Sequence, residues 1–253
     1  MPHSTTDDGC RLWTQVTGDG PPVVLVHGGP GWWDVFQDLT LPDVTIHRWD
    51  QRGCGRSDRR GPYVLDRFVA DLETIRQTTG HDQVTLIGHS WGAALALQYA
   101  DAHLDHLSHL ILVSSTGLDG PPPTYRQRVA EILADTPSDD PWIARFSTGF
   151  ADRTTALDDA LRLNTPRFEP NQECADALRA ELRTVPDRAA ACRRIAVPTL
   201  LIHGADDLRP PYVTDSLLEA LPDAERVVLD GVAHYPWVED PDGFQKAVES
   251  FLS

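Results

Sequence analysis

The chain has 253 residues, 41% of them hydrophobic, which suffices for a sizeable core in one large α/β domain or two small ones. Its formal net charge of −16 argues against nucleic acid and anionic membrane surfaces as partners. No apolar run reaches the roughly 18–20 residues of a membrane span, and Met1-Pro2-His3-Ser4-Thr5-Thr6-Asp7-Asp8 lacks the basic and apolar parts of a signal peptide. The expected compartment is therefore the cytoplasm. Cysteines at 10, 54, 174 and 192 show no Cys-x-x-Cys spacing, so reduced thiols and no metal knuckle are expected.

Residues 1–9 are polar and read as loose. Arg11–Val16 reads as a strand and is followed by a Gly/Pro-rich turn. Val23–Val26 is a continuous apolar run, the pattern of a strand covered on both faces, and it leads into His27-Gly28-Gly29-Pro30-Gly31. Val44–Trp49 is the next strand, ending at the polar loop Asp50 to Asp58. There Asp50 and Arg52 are read as an internal ion pair, and Cys54 as a tolerated small residue rather than a nucleophile. Leu65, Phe68, Val69, Leu72 and Ile75 share one helical face.

Val84–Ile87 then runs into Gly88-His89-Ser90-Trp91-Gly92, and an alanine- and leucine-rich helical pattern begins at once. Such a turn pushes a serine out of the end of a strand at the tip of a helix, where amide N–H groups and a partial positive charge converge. Leu110–Val113 is a further strand. This β-α-β-α alternation predicts an α/β fold with a doubly wound, mostly parallel sheet.

Beyond Gly117 the character changes. Residues 117–195 offer only short amphipathic helices, around Val129/Ile132/Leu133, Trp142/Ile143/Phe146/Phe150, Leu157/Leu161 and Leu178/Leu182/Val185, punctuated by prolines. They are read as a helical cap inserted between two parts of one core, 1–116 and 196–253, because so long a structureless loop is unusual in a compact domain. The strand pattern resumes at Pro198–Ile202, followed by Asp206 and Asp207. A helix near Val213–Leu221, a strand Arg226–Leu229, the sequence Gly231-Val232-Ala233-His234 and a terminal helix complete the chain.

A serine hydroxyl is a weak nucleophile without a base in reach and an acid to orient that base. Asp207 and His234 each follow a predicted strand, on the edge where open parallel sheets bind ligands, and the order Ser90, Asp207, His234 suits an α/β-hydrolase. Asp206 competes with Asp207 for the acid. The Gly204-x-x-Asp207 spacing, with Pro211 four residues on, favours Asp207. His27 and His89 are read as structural hydrogen-bonding residues. Trp32 and Trp33 are left open between lining a pocket and packing the core.

With these motifs in hand, the chain resembles the α/β-hydrolase superfamily, and within it the proline iminopeptidase family. The likeness is carried by His27-Gly28-Gly29-Pro30-Gly31, Trp49-Asp50-Gln51-Arg52-Gly53-Cys54-Gly55-Arg56-Ser57, Gly88-His89-Ser90-Trp91-Gly92, Gly204-x-x-Asp207-x-x-x-Pro211 and Gly231-x-x-His234 with Pro236-Trp237. The resemblance implies that Ser90 attacks a carbonyl, His234 moves the proton and Asp207 holds the imidazole. It further implies an oxyanion hole made by the N–H groups of Trp91 and Gly29. It also implies hydrolysis of an N-terminal prolyl or similar small amide, with acidic cap groups on the free amine. The 117–195 stretch carries no matching motif; Glu169 and Glu173 could supply a carboxylate there, but they are read as solvated helix charges. The histidine at 89 replaces the family's more usual glycine and is common among esterases and lactonases of the superfamily. An ester, lactone or thioester hydrolase therefore stands beside the peptidase, and a non-catalytic ligand-binding protein is the third alternative. A small-molecule substrate is expected, with no cofactor, metal or nucleotide.

Overall fold

A computed structural model describes residues 2–253. Eight strands form one sheet in the order β1-β2-β4-β3-β5-β6-β7-β8. They are β1 (His3–Thr5), β2 (Arg11–Gly18), β3 (Pro22–Val26), β4 (Thr45–Trp49), β5 (Val84–His89), β6 (Leu107–Val113), β7 (Thr199–Gly204) and β8 (Ala224–Leu229). β2 pairs antiparallel with both β1 and β4, and every other pairing is parallel. The C-terminal ends of β3, β5, β6, β7 and β8 thus share one edge.

Side chains alternate across a strand, so β3 feeds two cores. Val24 and Val26 join the cluster formed with α1 (Leu65–Thr78) and α2 (Trp91–Ala102). Val23 and Leu25 face the other cluster, which contains Phe244 and Val248 of the terminal helix Pro241–Leu252. Helices on both faces explain why β3 and β5 are buried along their whole length and read as unbroken apolar runs.

Between β6 and β7 the chain makes α3 (Tyr125–Ala134), α4 (Pro141–Ser147), α5 (Ala156–Leu163), α6 (Gln172–Leu182) and α7 (Arg188–Cys192), with no strand. Beyond β7 lie α8 (Asp215–Ala220), α9 (Pro236–Glu239) and α10 (Pro241–Leu252). α4 and α6 start at Asp140 and Asn171, whose side chains accept from backbone N–H groups of the first turn. Ile143, Phe146, Ala156 and Ala160 of this segment pack into the same cluster as α10.

Two expectations are corrected. Residues 2–9 are not loose: His3–Thr5 pairs with Arg11–Trp13, and Asp8 reaches Arg52 at 2.8 Å (Met1 lies outside the described residues). Nor do Asp50 and Arg52 pair. Asp50 takes Arg56 at 2.5 Å, while Arg52, fully buried, takes Asp71 at 2.6 Å. The reason is that the turn at Gly53–Gly55 folds Arg56 back over Asp50. A Cβ on Gly55 would sit 2.4 Å from the Asp50 carboxylate.

Candidate active site

Ser90 joins β5 to α2 at φ 54°, a region costly for a residue with a side chain. Its N–H donates to Val113 O at 2.8 Å, which ties the turn to β6. The flanking glycines are required by space. A Cβ on Gly92 would stand 1.9 Å from Val26 O, and one on Gly88 would stand 2.5 Å from Gly92 O. The serine side chain is thereby lifted from the sheet edge into a cavity of about 870 Å³, which His234 also lines. Trp91 is the first helical residue, so its N–H has no intrahelical acceptor.

Asp207 follows β7, and His234 lies in the loop after β8. His234 Nδ1–H donates to Asp207 Oδ2 at 2.6 Å, and both residues are buried. That bond leaves Nε2 free of the proton. Asp206 is exposed, with its backbone N–H on Val232 O, and the aspartate that meets His234 is Asp207. Burial opposes charge on Asp207, but His234, Arg209 and His203 overcome it and hold the carboxyl below the ordinary range. For His234, burial depresses the pKa, Arg209 adds to that, and Asp207 only partly opposes it. A neutral imidazole is thus favoured near pH 7, as a general base requires. The Ser90 hydroxyl has no hydrogen-bond partner among the described residues. Nucleophile–base bonds of this kind often tighten only when substrate enters.

The His234 loop is fastened on several sides. His89 Nε2–H donates to His234 O at 2.9 Å, and His234 N–H donates to Gly149 O at 2.8 Å. Glu239 accepts from Ala233 N–H at 2.9 Å and from Ala151 N–H at 2.6 Å, joining the loop to the segment after α4. Burial raises the Glu239 pKa to about 7. Burial also pushes the His89 imidazole well down, so it is neutral and structural, as the sequence suggested.

His27 organises the glycine loop. Its Nε2 accepts from Gln51 N–H at 3.0 Å, so the proton resides on Nδ1, which donates to Gly28 O at 2.7 Å. Gly28 O and Gly29 N–H belong to one peptide plane and point in opposite directions. Holding the carbonyl therefore aims the Gly29 N–H away from His27. Gln51 closes the arrangement, donating to His27 O at 2.8 Å and accepting from Trp91 Nε1–H at 3.1 Å. Gly29 itself sits at φ 134°, which suits glycine alone.

Trp32 and Trp33 do both of the things left open for them: they line the cavity, and they pack with Trp142 at ring distances of 4.9 and 5.5 Å. Cys54 is buried with its thiol pKa raised by burial, an inert thiol. Glu169 and Glu173 do not line the cavity. Sequence reasoning missed Arg209, whose guanidinium contacts Asp207 Oδ1 at 3.3 Å and Tyr125 Oη at 2.6 Å and stacks on the Tyr125 ring. Only its closeness in sequence to Asp207 pointed there. Away from the cavity, Glu73, His103 and His106 bring one ligand atom each within 4.8 Å. The Glu73 oxygens already accept from Arg76, Gln77 and Tyr99.

An eight-stranded, mostly parallel sheet with a strand–serine–helix turn and a His–Asp pair on the same edge defines an α/β-hydrolase. The family model for the alpha/beta hydrolase fold matches residues 21–241, and the chain belongs to that family. It is 27% identical to a proline iminopeptidase of Heyndrickxia coagulans, over 93% of this chain and 92% of the relative. It is 28% identical to a (lyso)-N-acylphosphatidylethanolamine lipase of Mus musculus, over 96% and 83%. Among solved structures, an esterase from Exiguobacterium antarcticum superposes with a TM-score of 0.81 at 23% identity, covering 99% of this chain and 98% of that one. Among the described residues no helix is long and apolar enough to cross a membrane.

Proposed function

We propose that the protein is a serine hydrolase that cleaves a small carboxylic ester, lactone or thioester through an acyl-enzyme. Ser90 Oγ attacks the carbonyl while His234 Nε2 takes its proton. The negative oxygen is met by the N–H groups of Trp91 and Gly29. The imidazolium returns its proton to the leaving group, and a water then repeats the sequence to free the acid. Asp207 fixes the tautomer and stabilises the imidazolium, and residues 117–195 act as a cap that closes the cavity over the serine. The observation that carries this reading is the 2.6 Å His234–Asp207 bond beside a serine forced to φ 54° at the mouth of one cavity.

The ester side is supported by the cavity lining, in which Asp119 and Asp176 are the sole carboxylates and Asp176 faces Arg179 at 3.7 Å. An ammonium group would find little to hold it there. A second reading, release of an N-terminal proline, is favoured by the likeness to the Heyndrickxia coagulans proline iminopeptidase and by the His27–Gly31 motif. The test is an assay of p-nitrophenyl acyl esters, a lactone and prolyl-arylamide with wild type and Ser90→Ala. Turnover of esters that vanishes in Ser90→Ala supports the first reading. Cleavage of prolyl-arylamide in preference to all esters selects the second. Ester turnover that survives Ser90→Ala refutes both.

A further inference from the structure

Although the chain carries a net charge of −16, six of its 22 basic residues line the Ser90 cavity: Arg126, Arg145, Arg179, Arg183, Arg188 and Arg209. Two of them are already engaged. Arg209 contacts Asp207 and Tyr125, and Arg145 donates to the Tyr125 hydroxyl at 3.3 Å. The other four come from α3, α6 with its C-terminal cap, and the start of α7. The side chains of Arg126 and Arg183 have no hydrogen-bond or ion-pair partner among the described residues. Arg188 donates only to the carbonyl of Leu118, at 2.8 Å. Arg179 meets only the exposed Asp176, at 3.7 Å.

Elsewhere several arginines of the chain pair closely with carboxylates, as with Arg52 on Asp71 at 2.6 Å and Arg76 on Glu73 at 2.7 Å. Burial depresses the pKa of both Arg179 and Arg188, and Arg183 adds to the effect at Arg179. Guanidinium groups stay ionised under such shifts, so the cavity wall keeps an excess of positive charge. Like charges gathered in a concave, half-buried wall repel one another, and a bound anion relieves the repulsion. Guanidinium also matches carboxylate and phosphate oxygens with paired, charge-assisted hydrogen bonds.

We propose that the substrate carries an anionic group, a carboxylate or a phosphate, received by Arg126, Arg179, Arg183 and Arg188 while its acyl carbon lies at Ser90. The proposal rests on the acyl-hydrolase reading and narrows it. It places the selectivity of the enzyme in the helical segment rather than in the sheet.

The test uses the full chain and acyl compounds of matched length: the p-nitrophenyl esters of hexanoate (neutral), adipate (anionic) and 6-aminohexanoate (cationic), with hexanoyl-coenzyme A as the phosphate-bearing member. The expected kcat/KM for the adipyl ester or the coenzyme A thioester exceeds that of the neutral ester by about tenfold or more, the scale of a charge-assisted contact. The cationic ester is the poorest, and 0.5 M salt narrows the gap. Arg126→Gln/Arg183→Gln lowers the ratio by about tenfold; both side chains are exposed, and single Arg183→Gln replaces the pair if it unfolds. Arg194→Gln, exposed and paired with Asp101 outside the cavity, leaves the ratio unchanged. A preference confined to the adipyl ester identifies a carboxylate, and one confined to the thioester identifies phosphate.

Equal rates on neutral and anionic esters, a preference for the cationic ester, or a ratio unmoved by the arginine substitutions overturns the inference and leaves the hydrolase reading standing. If no acyl compound is turned over, calorimetry with adipate and with coenzyme A decides. Binding that is lost in the arginine variant upholds anion recognition while the hydrolase reading fails, and absence of binding overturns both.

Discussion

Replacing His27 with alanine tests whether the glycine loop is a catalytic element or only a turn. His27 is fully buried, and its ring makes two hydrogen bonds, from Gln51 N–H at 3.0 Å and to Gly28 O at 2.7 Å. Truncation leaves a buried donor and a buried acceptor without partners, each costing about 1–3 kcal/mol, so the melting temperature falls. The effect on rate has a separate origin. With its carbonyl released, the Gly28–Gly29 peptide is free to rotate, and the Gly29 N–H no longer points reliably at the developing oxyanion. Loss of one such donor lowers kcat by about 10²–10³. The assay is kcat on an acyl ester well below the variant's melting temperature, with folded sites counted by organophosphonate labelling and KM measured alongside. The expected pattern is a large fall in kcat per labelled site with a modest change in KM. If kcat per labelled site stays within about threefold of wild type although stability has dropped, His27 is only a packing residue and the peptide-orientation argument fails.

The remaining predictions concern the base and its surroundings. Asp207→Asn removes the acceptor of the 2.6 Å bond and permits the wrong imidazole tautomer, so kcat falls by about 10⁴, whereas exposed Asp206→Asn leaves it unchanged; equal effects of the two would refute the assignment. His234 must be neutral to accept the proton, and burial sets its pKa below the usual 6.5, with Arg209 adding to the depression. The acid limb of kcat/KM against pH should therefore fall below 6.5, and Arg209→Gln should move it upward; a limb above 7 in wild type contradicts the structure. Glu239 has a folded pKa raised from 4.5 to about 7, so the native state holds its proton more tightly than the unfolded chain. Its contribution is greatest below pH 4.5 and is lost as the pH rises through 7, by on the order of 3 kcal/mol. Thermal unfolding of wild type and Glu239→Gln from pH 4.5 to 8 should show the wild-type advantage shrinking with pH; a constant difference would rule this out.

Much of the site was legible because its geometry is set locally. A serine between two glycines after an apolar run has few conformations open to it, and the clash of a Gly92 Cβ with Val26 O shows why the pattern is so restrictive. The strands β3 and β5 were legible for the same reason, since burial on both faces leaves no polar alternation to confuse the reading. The pairing of charges was not. Asp50 and Arg52 stand two residues apart in sequence, yet the turn carries each to a different partner, Arg56 and Asp71. Short β1 was equally hidden, because three polar residues at a sheet edge carry no hydrophobic period.

The cavity arginines were harder to read from the sequence than the serine turn. Arg126 lies on α3, Arg179 and Arg183 on α6 and its C-terminal cap, and Arg188 at the start of α7, where each by itself reads as a solvated charge. Their meaning arises only when the fold brings them to one cavity wall in a chain that is otherwise strongly acidic. The net charge of a protein acts on a ligand still outside it and fades over about a Debye length, roughly 8–10 Å in physiological salt. A ligand inside a cavity is governed instead by the charges of that wall, where low-dielectric surroundings screen them less. An overall acidic chain and an anion-binding cavity are therefore compatible. The acidic exterior slows the approach of an anion, and raising the salt should speed that approach even as it weakens binding at the wall. Salt therefore raises kon and, by raising koff more, raises KM as well. Stopped-flow binding of adipate to Ser90→Ala over a salt series should separate them, with kon rising and koff rising more steeply. A kon that falls with salt would mean that the cationic wall, rather than the acidic exterior, controls the approach.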